Sequence, residues 1–302
     1  MRNEFAAAIE KIGLEDESVV FITGDLGYNA LEKVVSALGP RFINAGVAEQ
    51  NMVGMAAGLA YRGYKVFCYS IAPFAVYRCL EQFRNDACLH NMPVFLVGNG
   101  GGYGYGIMGS THHAIEDLAC LSGLQNVNTY IPAFADEVAP MINQIVAEAR
   151  PAYLRLGVGP KTPDGAETIG TFRHIVRSAE PAGAIVSLGP VTANVMTALQ
   201  DESLAGRFDV FTATNLPLDL PAELAGRWRG KPLLVVEEHV AIGGLGQQLS
   251  GRLLSLGAAP SQFISLTAEG YPNGLYGDQK YHQQQSGLDP VNIARQLTTL
   301  AN

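Results

Sequence analysis

Charge and sulfur are both scarce in this chain. Of its 302 residues only 16% are charged, against roughly a quarter in an average soluble domain, four are cysteine and one is tryptophan. The cysteines, Cys68, Cys79, Cys88 and Cys120, form no Cys-x-x-Cys pair. That excludes a disulfide scaffold and gives no metal motif; scattered through apolar segments, such thiols read as small buried hydrophobes. No run of about 18 apolar residues is present, which excludes a membrane-crossing helix. Basic residues are the scarcer sign, 20 against 28 acidic, and the resulting net charge of −8 argues against a nucleic-acid binder. Glu4, Glu10 and Lys11 fall where an export signal needs an apolar core, so a cytoplasmic chain is expected. What is present is apolar: 48% of residues are hydrophobic, which excludes disorder. A surface so poor in charge is expected to be covered by a second layer or another chain, and an oligomer follows.

Short apolar runs rich in β-branched residues alternate with helical patterns. The runs at 18–24, 65–71, 93–99, 125–131 and 152–156 read as strands, with helices over 2–12, 29–38, 48–61, 73–88, 114–122 and 135–149 between them. Fully apolar strands separated by helices predict a mostly parallel sheet covered on both faces. From 157 to 179 Gly, Pro and Asp cluster, which reads as a linker. The alternation then resumes with strands at 183–189, 208–214, 231–237 and 262–268 and helices at 191–200, 243–256 and 288–300. The expected organisation is α/β, with two domains at 1–156 and 180–302.

Three stretches could carry chemistry. In Asn44-Ala45-Gly46-Val47-Ala48-Glu49-Gln50-Asn51, Glu49 sits where a strand hands over to an apolar helix. It is either a first-turn carboxylate favoured by the helix dipole or an acid in an apolar pocket, suited to proton transfer. The same helix carries Gly54 and Gly58, which fit close core packing or a subunit crossing equally well. Residues 98–109 hold seven glycines, follow a strand and end in Ser110-Thr111-His112-His113. Such a loop lies at the strand's C-terminal edge, where open α/β sheets place ligands, and it lacks the Gly-Lys-Ser/Thr of a nucleotide-binding loop. His112 and His113 diverge as neighbours and make a poor metal pair; each is a substrate-facing group or a solvated loop residue. Phe74 and Tyr77, on the helix expected over 73–88, read as core or as a platform for a flat heterocycle.

Together these stretches resemble the transketolase family of thiamine-diphosphate enzymes, and more closely the C-terminal subunit of a split transketolase. The resemblance runs from Arg2 to the end and rests on GVAEQNMVGMAAGLA, EQFRND and LLVVEEHVAIGGLG. It implies a pyrimidine-binding domain followed by a transketolase-type C-terminal domain. It also implies that Glu49 binds the ring nitrogen of the cofactor's aminopyrimidine and exchanges a proton with it. Phe74 and Tyr77 match aromatic positions of that pocket, Ile71 falls where many relatives carry a stacking Phe, and Asp25 matches an acidic position near the cofactor. His112 matches the histidine that handles the ketose donor, with His113 a second polar contact. Arg2 and Arg155 match positions that hold a sugar phosphate, for which a guanidinium fork is suited.

Three departures bear on the substrate. Met108 stands where relatives have an acid contacting a donor hydroxyl, Gly100 where they have a phosphate-binding His, and Asn29 where they have Ser. Losing a hydroxyl-binding carboxylate costs about 1–3 kcal/mol of recognition, enough to change donor preference. The Gly-Asp-Gly segment that anchors the diphosphate through a metal is missing; the Gly-Asp pairs here are Gly24-Asp25 and Gly277-Asp278. The resemblance therefore implies that thiamine diphosphate and its Mg²⁺ or Ca²⁺ are held in part by a diphosphate-binding partner subunit, in an α2β2 assembly, with no metal ligand on this chain. The implied activity is transfer of a two-carbon ketol unit from a ketose to an aldose, phosphorylated or not. The rivals are a β-type subunit of a 2-oxo acid dehydrogenase, a deoxyxylulose-phosphate-synthase-like enzyme and a noncatalytic scaffold subunit. His239, His282 and Asp219 read as structural.

Overall fold

The computed structural model describes residues 1–27 and 29–300. The first half alternates α1 (Arg2–Glu15), β1 (Val19–Thr23), α2 (Glu32–Leu38), β2 (Phe42–Asn44), α3 (Glu49–Tyr61), β3 (Lys65–Ile71), α4 (Ala72–Val76), α5 (Leu80–Gln82), β4 (Val94–Asn99), α6 (Asp117–Ser122), β5 (Asn128–Tyr130), α7 (Val138–Glu148) and β6 (Ala152–Leu156). The second half adds β7 (Glu167–Ile169), β8 (Phe172–Val176), β9 (Gly183–Leu188), α8 (Thr192–Ala198), β10 (Phe208–Ala213), β11 (Asn215–Leu216), α9 (Ala222–Trp228), β12 (Pro232–Glu237), α10 (Leu245–Ser255), β13 (Gln262–Leu266), α11 (Gln279–Gln285) and α12 (Pro290–Leu300).

Two mostly parallel sheets result, as expected for an α/β chain. The first runs β11-β5-β6-β4-β3-β1-β2 and the second β13-β12-β9-β10-β8-β7. Strands β1 and β6 are buried at every position, which is why their sequences are continuous rather than alternating apolar runs. One face of the first sheet is covered by α1, α2 and α7 through Phe5, Ile9, Val34 and Ile142 against Phe21, Phe67 and Phe95. The opposite face buries Met52, Val53 and Ala56 of α3, and this cluster continues into the second sheet through Phe172, Leu188 and Trp228.

The segment 157–179 differs from the linker expected for it. Residues 167–176 form β7 and β8, an antiparallel pair turning at Gly170 (φ 59°) and completing the edge of the second sheet. Their pattern was hard to read because β7 is largely exposed and polar. The two halves are also stitched together: β11, from the second half, pairs antiparallel with β5. The single helix expected over 73–88 is broken. After α4 the backbone leaves helical geometry at Cys79 (φ −119°, ψ 20°), and Phe83–Cys88 forms a π-helical turn. That break sets the direction of Tyr77 and Arg78.

Candidate active site

Glu49 opens α3, beyond a loop in which Gly46 adopts φ 72° and Asn44 Oδ1 accepts its N–H at 2.9 Å. Only 1% of Glu49 is exposed. A carboxylate at this end is favoured by the helix dipole, and two side chains fix it. Ser70, at the end of β3, donates to Oε1 at 2.9 Å, and Arg78 Nη1 donates to Oε2 at 2.7 Å. Gly24, at the end of β1, leaves the approach open: a Cβ there would lie 3.2 Å from Oε1. Arg78 in turn lies over the Phe74 ring, 4.1 Å from its centroid, and Phe74 meets His112 edge-on at 5.2 Å. Thr111 Oγ1 engages His112 Nδ1 at 2.9 Å, while Nε2 has no hydrogen-bond partner among the described residues. The structure thus brings Glu49, Phe74 and His112 into one continuous cluster.

The other expected residues divide. Ile71 is buried immediately before α4. The Tyr77 hydroxyl donates to Glu116 Oε2 at 3.0 Å and accepts from Glu116 N at 3.1 Å, and burial with the nearby Asp117 carboxylate pushes its pKa well up. Asp25 adopts φ 61° and accepts from Asn44 Nδ2 at 2.9 Å. Met108 is exposed in a single turn of 3-10 helix.

His113, expected as a second polar contact for the substrate, has no ring nitrogen left free. It is buried with both ring nitrogens engaged, Nδ1 with the Tyr271 hydroxyl at 2.8 Å and Nε2 with the Gly106 carbonyl at 2.7 Å. Burial lowers its pKa, and the ring packs against Tyr103, Tyr271 and His282.

Arg2 and Arg155 line one cavity of about 430 Å³ between the two halves, with Asn99, Gly100, Tyr105 and Glu238. Arg155 is buried. Its Nε donates to Asp117 Oδ2 at 2.9 Å, and its Nη2 donates to the carbonyls of Ala114 at 2.6 Å and Glu238 at 3.0 Å. The guanidinium fork expected for a sugar phosphate is therefore committed within the chain; Nη1 alone has no hydrogen bond among the described residues. Arg2 is exposed at the rim.

Sequence reasoning missed four residues here. Ser70 and Arg78 carry no motif. Tyr105 belongs to no pattern beyond the glycines around it, yet it joins the two clusters: its hydroxyl accepts from Asn99 Nδ2 at 2.9 Å and its ring lies 6.0 Å from His112. It also explains Gly100, which adopts φ 73° and whose Cβ would fall 2.3 Å from the Tyr105 ring. Glu238 is buried on the cavity and accepts from Tyr103 N at 2.6 Å and Gln279 Nε2 at 2.9 Å. Burial raises its pKa against the hydrogen bonds from Gln283, Tyr103 and Gln279.

The buried carboxylate, the aromatic face beside it and the missing Cβ at Gly24 fit a flat, nitrogen-bearing ring. Among the described residues no group of three His, Cys, Asp or Glu side chains is placed to hold a metal ion, and no helix is long and apolar enough to cross a membrane.

Comparison with known proteins agrees with this chemistry. Residues 1–159 match the family described as transketolase, pyrimidine binding domain. One subunit of the apulose-4-phosphate transketolase of Actinobacillus succinogenes is 30% identical over 264 residues, 84% of this chain and 82% of that protein. The corresponding subunit from Phocaeicola vulgatus is 28% identical over 97% of this chain and 95% of its own length. A 1-deoxy-D-xylulose-5-phosphate synthase of Myxococcus xanthus is 29% identical over 96% of this chain, which spans 50% of that enzyme. Among solved structures, one described as a split gene transketolase, inactive beta4 tetramer, superposes with a TM-score of 0.83 at 27% identity, covering 99% of this chain and 97% of its own.

Proposed function

The chain belongs to the transketolase family, and on that premise we propose that it supplies the pyrimidine half of a thiamine-diphosphate site completed by a second, diphosphate-binding subunit. It is a subunit of a transketolase-type transferase. The observation that carries the proposal is the buried Glu49 carboxylate at the start of α3, joined through Phe74 to a histidine whose Nε2 has no hydrogen-bond partner among the described residues.

Thiamine diphosphate, when bound, supplies the nucleophilic carbon that takes up a two-carbon ketol unit and the electron sink that holds it. The chain's own residues do the rest. Glu49 holds the pyrimidine ring nitrogen and exchanges a proton with it; the α3 terminus and Ser70 fix the carboxyl group for that exchange. Phe74 and Ile71 offer apolar faces to the ring, and Tyr77, locked to Glu116, closes the pocket wall. Asp25, just past the end of β1 and held by Asn44, is the acidic residue expected near the cofactor. His112 Nε2 moves protons at the donor's oxygens, with Nδ1 oriented by Thr111. Arg2 and the remaining Nη1 of Arg155 attract the phosphate of a ketose phosphate, and the exposed Met108 leaves the donor hydroxyl without a carboxylate partner. The names of two relatives, apulose-4-phosphate transketolase, support a ketose phosphate as donor.

The diphosphate-binding partner brings Mg²⁺ or Ca²⁺ and the diphosphate contacts. An α2β2 heterotetramer in the cytoplasm, a first domain at 1–156 and a second domain that takes in β7 and β8 belong to the same proposal. Turnover by the reconstituted complex tests it: Glu49→Ala abolishes ketol transfer from a ketose phosphate, whereas unchanged turnover removes this glutamate from the mechanism and favours a scaffold role.

A further inference from the structure

We propose that Arg78 is a placeholder for the aminopyrimidine ring, occupying the Glu49 carboxylate and the Phe74 face until the cofactor enters and displaces it. The inference rests on the reading of Glu49 and Phe74 given above. A carboxylate only 1% exposed needs a counter-charge or hydrogen bonds to stay ionised. Ser70 serves Oε1, and Arg78 serves Oε2 at 2.7 Å. The guanidinium lies 4.1 Å from the Phe74 ring centroid.

Those are the two contacts required of the ring. Guanidinium and aminopyrimidine are both flat, both pair with a carboxyl group, the guanidinium as an N–H donor and the ring nitrogen by sharing a proton with it, and both stack on an aromatic face. They cannot both lie on the same face of the Phe74 ring. Charge strengthens the Arg78 contact, because the guanidinium lies 2.7 Å from a carboxylate oxygen that is almost wholly shielded from water. Arg78 has a route out. Its side chain is 39% exposed, it stands at the break between α4 and α5, and it makes no other hydrogen bond among the described residues. In the uncombined chain the pair thus balances a buried charge and keeps the pocket shaped; in the loaded enzyme it is open.

Two measurements test this. The first needs no cofactor: melting temperatures of the lone chain carrying Arg78→Ala, Glu49→Gln or both. The proposal predicts that each single change shifts the melt and that the double variant differs from the sum of the two. Additive shifts overturn it. The second is calorimetric titration of thiamine diphosphate with Mg²⁺ into the complex with the diphosphate-binding subunit. Removing a competitor predicts that Arg78→Ala lowers the dissociation constant about tenfold. Weaker or unchanged binding overturns the proposal. Arg78→Gln, which keeps bulk and polarity without the charge, gives the same readings if the alanine variant does not fold. A complex that binds no thiamine diphosphate in either form, with coupling intact in the lone chain, refutes the functional reading and not the contact.

Discussion

Replacing Asp117 by alanine removes the counter-charge from the most enclosed cation of the chain. Arg155 is 3% exposed and Asp117 is 0% exposed. Asp117 Oδ2 accepts from Arg155 Nε at 2.9 Å and from the Tyr153 hydroxyl at 2.8 Å. Breaking a buried pair by removing one partner costs about 3–5 kcal/mol, because the remaining charge stays buried without its complement. Two carbonyls still accept from Nη2, which places the loss toward the low end, about 3 kcal/mol. At about 2 °C per kcal/mol for a chain of this size, the melting temperature falls by about 6 °C. The effect reaches the site, since the Ala114 and Glu238 carbonyls bound by Arg155 belong to opposite halves and line up the glycine-rich loop against the second sheet. Urea denaturation followed by far-UV circular dichroism and by fluorescence gives the free energy and checks that the transition is two-state. A loss below about 1 kcal/mol would refute the claim that this pair clamps the halves together.

Other consequences are separable from that one. Gly24→Ala puts a Cβ 3.2 Å from Glu49 Oε1 and 3.5 Å from Ser70 Oγ, so thiamine diphosphate should bind the assembled enzyme about tenfold more weakly with little change in melting; equal affinity contradicts the crowding argument. Gly100→Ala strains a φ of 73° and pushes on the Tyr105 ring, so KM for a ketose phosphate should rise about tenfold while kcat changes less; an unchanged KM removes Tyr105 from the substrate cavity. The fully buried His239 accepts the Ala119 N–H at 3.2 Å, and burial lowers its pKa from 6.5 to about 4. Between those values the unfolded chain takes up a proton that the folded chain refuses. Stability therefore falls as pH drops from about 6.5 to about 4, by up to roughly 3 kcal/mol. His239→Asn should flatten the dependence of the urea midpoint on pH over that window, and an unaltered slope contradicts the assignment.

Most of the architecture was legible because a parallel sheet buried on both faces needs continuous apolar strands, and the runs at 19–23, 65–71, 94–99 and 152–156 supply them. Elements with short or polar sequences escaped. Strand β2 has three residues, β7 is largely exposed, and α11, with three consecutive glutamines, lacks an apolar stripe. Glu49, Phe74 and His112 were legible through motifs. Ser70, Arg78 and Tyr105 were not, since their roles depend on where β3, the break after α4 and the glycine loop end in space. His113 and Arg155 show the converse: a motif position gave the residue but not its partners. Tyr271 and Asp117, which engage them, lie 158 and 38 residues away in sequence.

The central claim is that this chain holds only the pyrimidine half of the cofactor site. The most direct test is calorimetric titration of thiamine diphosphate with Mg²⁺ into the chain alone and into the chain mixed with a diphosphate-binding transketolase subunit. The account predicts heat of binding in the mixture and none in the chain alone at micromolar concentrations. Tight binding to the lone chain, or none to a mixture shown by sedimentation to have assembled, would contradict it.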